Sequence, residues 1–157
     1  MAHVPLNHHL RPLYRGLAAL TGGYLLAFGV VGIADTAGTD LFAQDPGLTA
    51  LGLSTNRAFA VLSVLAGLLV LGAAVIGRNV DRWVNIWVGP GFLIAGTAML
   101  ALTNTDANFL NSSVATAIVS YIIGLLLLTA GLYGKVGSAD QAEEEEAFRT
   151  GVSGRAG

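Results

Sequence analysis

The chain has 157 residues, 54% hydrophobic and 11% charged, with a net charge of −2 and no cysteine. A typical soluble domain carries about 25% charged residues, so this composition excludes one: it could not cover a water-facing surface. The near-neutral balance gives no basis for a nucleic-acid partner, and the lack of cysteine excludes disulfides, thiolate catalysis and cysteine-ligated metals.

Four stretches contain no charged residue: 16–34, 58–77, 83–105 and 107–134. About 20 mostly apolar residues cross roughly 30 Å of hydrocarbon as a helix. The pattern predicts an all-α bundle of four transmembrane helices over about 16–34, 58–77, 83–105 and 110–134. These make one domain over 1–137, followed by an acidic tail over 138–157.

The leader holds His3, His8 and His9. No carboxylate accompanies them and two are adjacent, so no metal site is assigned. Arg11 and Arg15 precede the first apolar run, in the order of a signal peptide. The run is longer than such a region, and Ala34-Asp35-Thr36 makes a poor cleavage site. An uncleaved anchor is expected. Tyr24 in helix one and Tyr121 in helix four should find hydroxyl partners inside the bundle, because an unpaired hydroxyl in hydrocarbon is costly.

The first loop, 35–57, carries Asp35, Asp40 and Asp45. It lacks the dense oxygen pattern of a calcium loop, and solvated carboxylates are expected. Asp45-Pro46-Gly47 is a turn signal. Residues 48–53 are apolar enough to lie on the membrane surface or to cap the bundle.

Helix two presents Ser63 and Gly67, then Ala73 and Gly77; helix four presents Thr116, Ser120 and Gly124. Residues four apart share a helix face, and small residues let backbones approach in lipid. These faces are assigned to helix packing, with helix two expected against helix four. Arg78 and Arg82 fill the second loop. Helix three opens with Trp83 and Trp87, and Asn85 between them should snorkel to the interface. Gly89-Pro90-Gly91 should kink helix three close to that interface, since proline removes a donor and crowds the preceding turn. In the tail, Ser138 and Gln141 match a capping box, and Glu145 with Arg149 forms an i,i+4 pair.

Seven of the eight Lys and Arg residues fall on one side of this bundle; Arg57 is the exception. The positive-inside rule then expects both termini in the cytoplasm of a bacterial plasma membrane protein. Tyr14, Trp83, Trp87 and Tyr133 would ring the inner interface, and Phe42, Phe59 and Phe109 the outer one. Arg11, Arg15, Arg78, Arg82 and Lys135 gather at the inner rim, where membrane lipid with anionic headgroups is the expected partner.

Helices two and four look alike: Ser63 to Gly67 matches Ser120 to Gly124, and each is followed by Gly-Arg or Gly-Lys at 77 and 134. A weaker echo sets Gly23 opposite Gly91. Two parallel-oriented hairpin repeats are expected. Such repeats occur in some transporters. The charge-free spans hold none of the ionisable groups that mark ion pathways.

Four polar segments carry a resemblance: Leu6 to Arg15, Gly77 to Arg82, Thr105 to Asn111 and Gly131 to Lys135. In these the chain resembles the small four-helix bacterial membrane proteins grouped as domain of unknown function 4383, typical of actinobacteria. The resemblance covers roughly residues 5 to 137. It implies an integral plasma-membrane protein and supplies no functional residue.

The residues expect no catalytic set and no cofactor. The leading expectation is a non-enzymatic accessory or structural protein acting through helix packing with itself or within a larger membrane complex. A small transporter or channel is the alternative, and a lipid-modifying enzyme a third reading.

Overall fold

The computed structural model describes residues 6–150. His3 and Arg155 lie outside them, and so do the side chains of the Glu145–Arg149 pair. Among the described residues the chain forms helices α1 (Arg11–Asp35), α2 (Arg57–Ile76), α3 (Val80–Leu102), α4 (Val114–Tyr133) and α5 (Ala139–Thr150). A hairpin of two short strands, β1 (Thr49–Ala50) and β2 (Leu53–Ser54), interrupts the first loop. Helices α1 to α4 are each long and apolar enough to cross a membrane. The protein is a multi-pass four-helix bundle.

Helix boundaries depart from the charge-free runs for a simple reason: charge ends a hydrophobic run but not a helix. Helix α1 begins at Arg11, with Pro12 in its first turn, where no backbone donor is needed. Arg11 and Arg15 therefore lie inside it. Helix α3 begins at Val80, so Asp81 and Arg82 belong to its first turn. Helix α4 starts at Val114. Asn56 and Ser113 cap α2 and α4, accepting from the Phe59 and Thr116 amides at 3.0 and 3.3 Å; each satisfies a donor the helix leaves orphaned.

The closest packing joins α1 to α2 and α3 to α4, while α1–α4 and α2–α3 contacts are looser. The expected α2–α4 seam is thus replaced by two hairpin seams. Glycines decide this. A Cβ on Gly67 would lie 2.6 Å from the Leu26 nitrogen and 2.8 Å from the Gly22 carbonyl oxygen. A Cβ on Gly89 would lie 2.6 Å from the Leu128 nitrogen, and one on Gly124 would lie 2.9 Å from the Gly89 carbonyl oxygen. The backbones touch where there is no side chain to hold them apart.

The two hairpins repeat each other. Positions 67 apart correspond between α1 and α3: Arg11 with Arg78, Arg15 with Arg82, Gly22 with Gly89, Gly29 with Gly96, Thr36 with Thr103. Positions 57 apart correspond between α2 and α4, including both caps, Ser63 with Ser120, and Gly67 with Gly124. The difference is the extra length of the first loop. This register shifts the expected echo by one residue, pairing Gly22 rather than Gly23 with the second hairpin's glycine. The contacts repeat as well: Gly22 faces Leu71, and Gly89 faces Leu128. Thr36 and Thr103 each donate to the carbonyl four residues back. At the centre, Val70 and Leu127 are both wholly buried.

The first-loop hairpin caps the bundle. Its turn, Leu51 and Gly52, has φ of 48° and 81°, the left-handed pair that suits a two-residue connection. Ala50 is buried beneath it, and a Cβ on Gly32 of α1 would lie 3.4 Å from the Ala50 methyl. Thr116 of α4 donates to the Ser54 carbonyl at 3.1 Å. Two asparagines close this end: Asn111 donates to the Asp45 and Thr55 carbonyls at 2.7 and 2.8 Å, and Asn56 to Ala43 and Phe109 at 3.2 and 2.8 Å. Phe59, expected in the outer aromatic ring, turns inward and is buried. Ser138 and Gln141 form the reciprocal cap of α5 at 3.2 and 3.3 Å.

Gly67→Ala and Gly89→Ala should each destabilise the detergent-purified protein by about 1–3 kcal/mol, the usual cost of overpacking. Gly72→Ala, where a Cβ meets nothing within 4 Å, should not. Equal thermal unfolding of all three would refute the glycine seams.

Candidate functional site

One end of the bundle gathers the start of α1, the α2–α3 turn and the end of α4. The Asn7 backbone N–H donates to the Lys135 carbonyl at 3.0 Å, which ties the segment before α1 to the segment after α4. Arg15 caps α2, its Nε donating to the Ala74 carbonyl and its Nη2 to Val75 at 2.8 Å. The last carbonyls of a helix have no partner within it, so this guanidinium replaces water at the rim. Gly77 ends α2 at φ 69°, and a Cβ there would press on the Arg15 guanidinium at 3.0 Å. Arg11 serves α4 likewise, its Nε donating to the Gly134 carbonyl at 3.3 Å. Its Nη2 also lies 3.5 Å from Asp81 Oδ2.

Asp81 is only 4% exposed, so an ionisable group is buried inside a spanning helix after all. Two features allow it: the Arg11 partner and a place in the first turn of α3, where the helix dipole favours negative charge. Asn85, one turn on, is 3% exposed, and its Oδ1 has no hydrogen-bond partner. It points inward rather than snorkelling, because i and i+4 share a face and Asp81 already commits that face to the interior.

The remaining cations are placed differently. Asn79 clamps Val136 in both directions, at 2.9 and 2.7 Å. This draws the turn at Arg78 against the chain at Lys135. A Cβ on Gly134 would lie 3.7 Å from Arg82 Cβ. Arg78 is exposed, and Arg82 and Lys135 are half-buried. Arg82 lies over the ring of exposed Trp83, 5.2 Å from its centroid.

The packing hydroxyls turn back on their own helices. Ser63 donates to the Phe59 carbonyl at 2.8 Å and Ser120 to Thr116 at 3.0 Å. Together with Thr116 they line a cavity of about 20 Å³, room for about one water. Tyr121 meets Thr97 through their hydroxyls at 2.8 Å. Tyr24 has no such bond; its ring lies against Phe28 at 6.4 Å, and about a third of it is exposed.

A larger opening faces the hydrocarbon. Between α2 and α3 runs an apolar groove of about 280 Å³, lined by Leu62, Ala66, Val88, Gly91, Ala95 and Met99 among others. The repeat explains it. Where α1 directs Tyr24 and Phe28, α3 has Gly91 and Ala95. A Cβ on Gly91 would meet nothing within 4 Å. Gly89-Pro90-Gly91 lies near the middle of α3, not close to its end, because α3 starts earlier than the charge-free run. The helix continues through Pro90, with Gly89 against α4 and Gly91 on the groove.

His8 stacks on His9 at 4.5 Å and meets the Tyr133 ring at 5.4 Å. Among the described residues no three of His, Asp and Glu gather as a metal ion would require. The chain matches no protein-family model, no curated protein and no solved structure.

The Arg11–Asp81 pair generates a test. Arg11→Met leaves a buried carboxylate without its partner and should lower stability by about 1–3 kcal/mol, less than for a fully buried pair because Arg11 is partly exposed. Arg11→Met with Asp81→Asn should recover part of that loss in detergent unfolding. A double variant less stable than Arg11→Met would show that the pair is not the coupled unit described.

Proposed function

We propose that this chain is a non-enzymatic accessory or structural protein of the bacterial plasma membrane that acts by helix contact within the bilayer. The observation that carries this reading is the bareness of α3. Only 22% of its apolar window is buried within the bundle, against 39%, 39% and 44% for α1, α2 and α4. Lipid tails are as apolar as the helix, so bareness alone drives nothing; close fit does. Helix α3 offers such a fit to another copy of itself. It carries protrusions, Trp87 and Ile94 at 73% and 70% exposed, beside the cleft at Gly91 and Ala95. A surface bearing both knob and hole can pair isologously. The partner in this reading is a second copy. The family resemblance of the polar segments belongs to the same reading, as does a cytoplasmic placement of both termini, supported by Arg11, Arg15, Arg78, Arg82 and Lys135 at that end.

Two experiments test it. Cysteine placed at Ser138 should label only after permeabilisation, and cysteine at Thr49 in intact cells; the opposite pattern inverts the topology. Full-length protein cross-linked in native membranes should give a dimer that Gly91→Trp weakens. A stoichiometric complex with a different membrane protein would keep the accessory role and replace the partner. A solitary monomer that moves solute in reconstituted vesicles would overturn the reading in favour of transport.

A further inference from the structure

The hairpin repeat sets two arginines in equivalent places and gives them different surroundings. Arg15 is satisfied by the Ala74 and Val75 carbonyls. Arg82, its counterpart, would find the corresponding carbonyls at the end of α4. Those are the Gly131 and Leu132 carbonyls, 57 positions on from Ala74 and Val75, and the Arg82 Nε donates to neither; Arg11 takes the Gly134 carbonyl beyond them. Arg82 is left with a buried Nε that has no hydrogen-bond partner. A buried donor of a charged group left without an acceptor is destabilising, because its water has been removed and nothing replaces it. Arg78 and Lys135 flank it across the Asn79–Val136 clamp, and no carboxylate among the described residues pairs with any of the three. Trp83, 55% exposed, lies directly beside Arg82.

We propose that the corner formed by Arg78, Arg82 and Lys135 binds the phosphate of an anionic lipid headgroup, with Trp83 against the lipid's glycerol and upper acyl region. A guanidinium presents its donors in a fork that fits phosphate oxygens. Indole rings favour the headgroup level. The corner sits where an apolar span meets the membrane surface, so the phosphate arrives already attached to the bilayer. Arg11 and Arg15 take no part; their donors are engaged by the protein's own carbonyls and by Asp81. Of the five cations expected at headgroups, three are thus assigned to lipid and two to the fold. The proposal does not depend on self-association through α3.

The test is native mass spectrometry of the detergent-purified full chain with phosphatidylglycerol, phosphatidylcholine or inorganic phosphate. Wild type should retain phosphatidylglycerol in preference to the other two. Arg82→Gln should cut that retention about fivefold, the effect of one charge near an anionic surface, and Arg78→Gln should act in the same direction from an exposed position. Arg15→Gln should lower stability and keep the lipid preference. Trp83 fluorescence should be quenched by brominated phosphatidylglycerol in wild type and less in Arg82→Gln. Unchanged retention in both Arg78→Gln and Arg82→Gln would overturn the site. Loss of preference in Arg15→Gln with retention in Arg82→Gln would overturn the division of labour. Inorganic phosphate binding as well as the lipid does would overturn the lipid source.

Discussion

Close approach of backbones at four glycines is the constraint on which the rest of the structure depends. In hydrocarbon there is no hydrophobic drive to bring apolar helices together, so fit and van der Waals contact must do it. Gly22 meets Gly67, and Gly89 meets Gly124, with peptide groups where side chains would otherwise stand. Each hairpin is thereby fixed. The faces turned away from these seams have no comparable fit, which is why the hairpins meet one another loosely and why a groove survives between α2 and α3.

The two ends of the bundle solve a different problem. Helix termini expose carbonyls and amides where water thins out. At one end arginines from α1 reach across to the final carbonyls of α2 and α4. At the other, asparagine amides at 56, 108 and 111 take up loop carbonyls. Buried polar groups are thus concentrated at the rims, and almost all are satisfied. The exceptions among the described residues, Arg82 and Asn85, both lie in the first turns of α3. They mark a region where the second hairpin has not reproduced the polar contacts of the first.

The four spans, the shared side of the termini, the Ser138 cap and the Ser63–Ser120 correspondence were legible in the sequence, because hydropathy, capping and spacing act locally. Which helix each glycine faced was not. Gly67 and Gly124 share a motif, and a shared motif suggests mutual contact as readily as separate contact with other helices. The true partners, Gly22 and Gly89, sit in less regular surroundings, and the correct register between them emerges only when their α2 and α4 neighbours are known. The inward turn of Asp81 and Asn85 was hidden because the charge-free run starts at Trp83 while the helix starts at Val80. The orphaned Arg82 donor had no signal at all: it shows only when the hairpins are set in register and Arg82 is found without the carbonyl contacts that Arg15 makes. The groove could have been anticipated by setting Tyr24 against Gly91 once the hairpins were aligned.

Because the tight seams join neighbours in sequence, the bundle has a natural order of assembly. A ribosome delivers α1 and α2 before α3 exists, and their glycine seam needs nothing that comes later. Closing such a hairpin orders only the connection between successive helices, and the entropic demand of a loop grows slowly with its length. The first half can therefore be inserted and zipped while the second is still being synthesised, and then serve as the template on which α3 and α4 settle. The clasp at the rim, where Asn7 takes hold of the segment leaving α4, must wait for both halves.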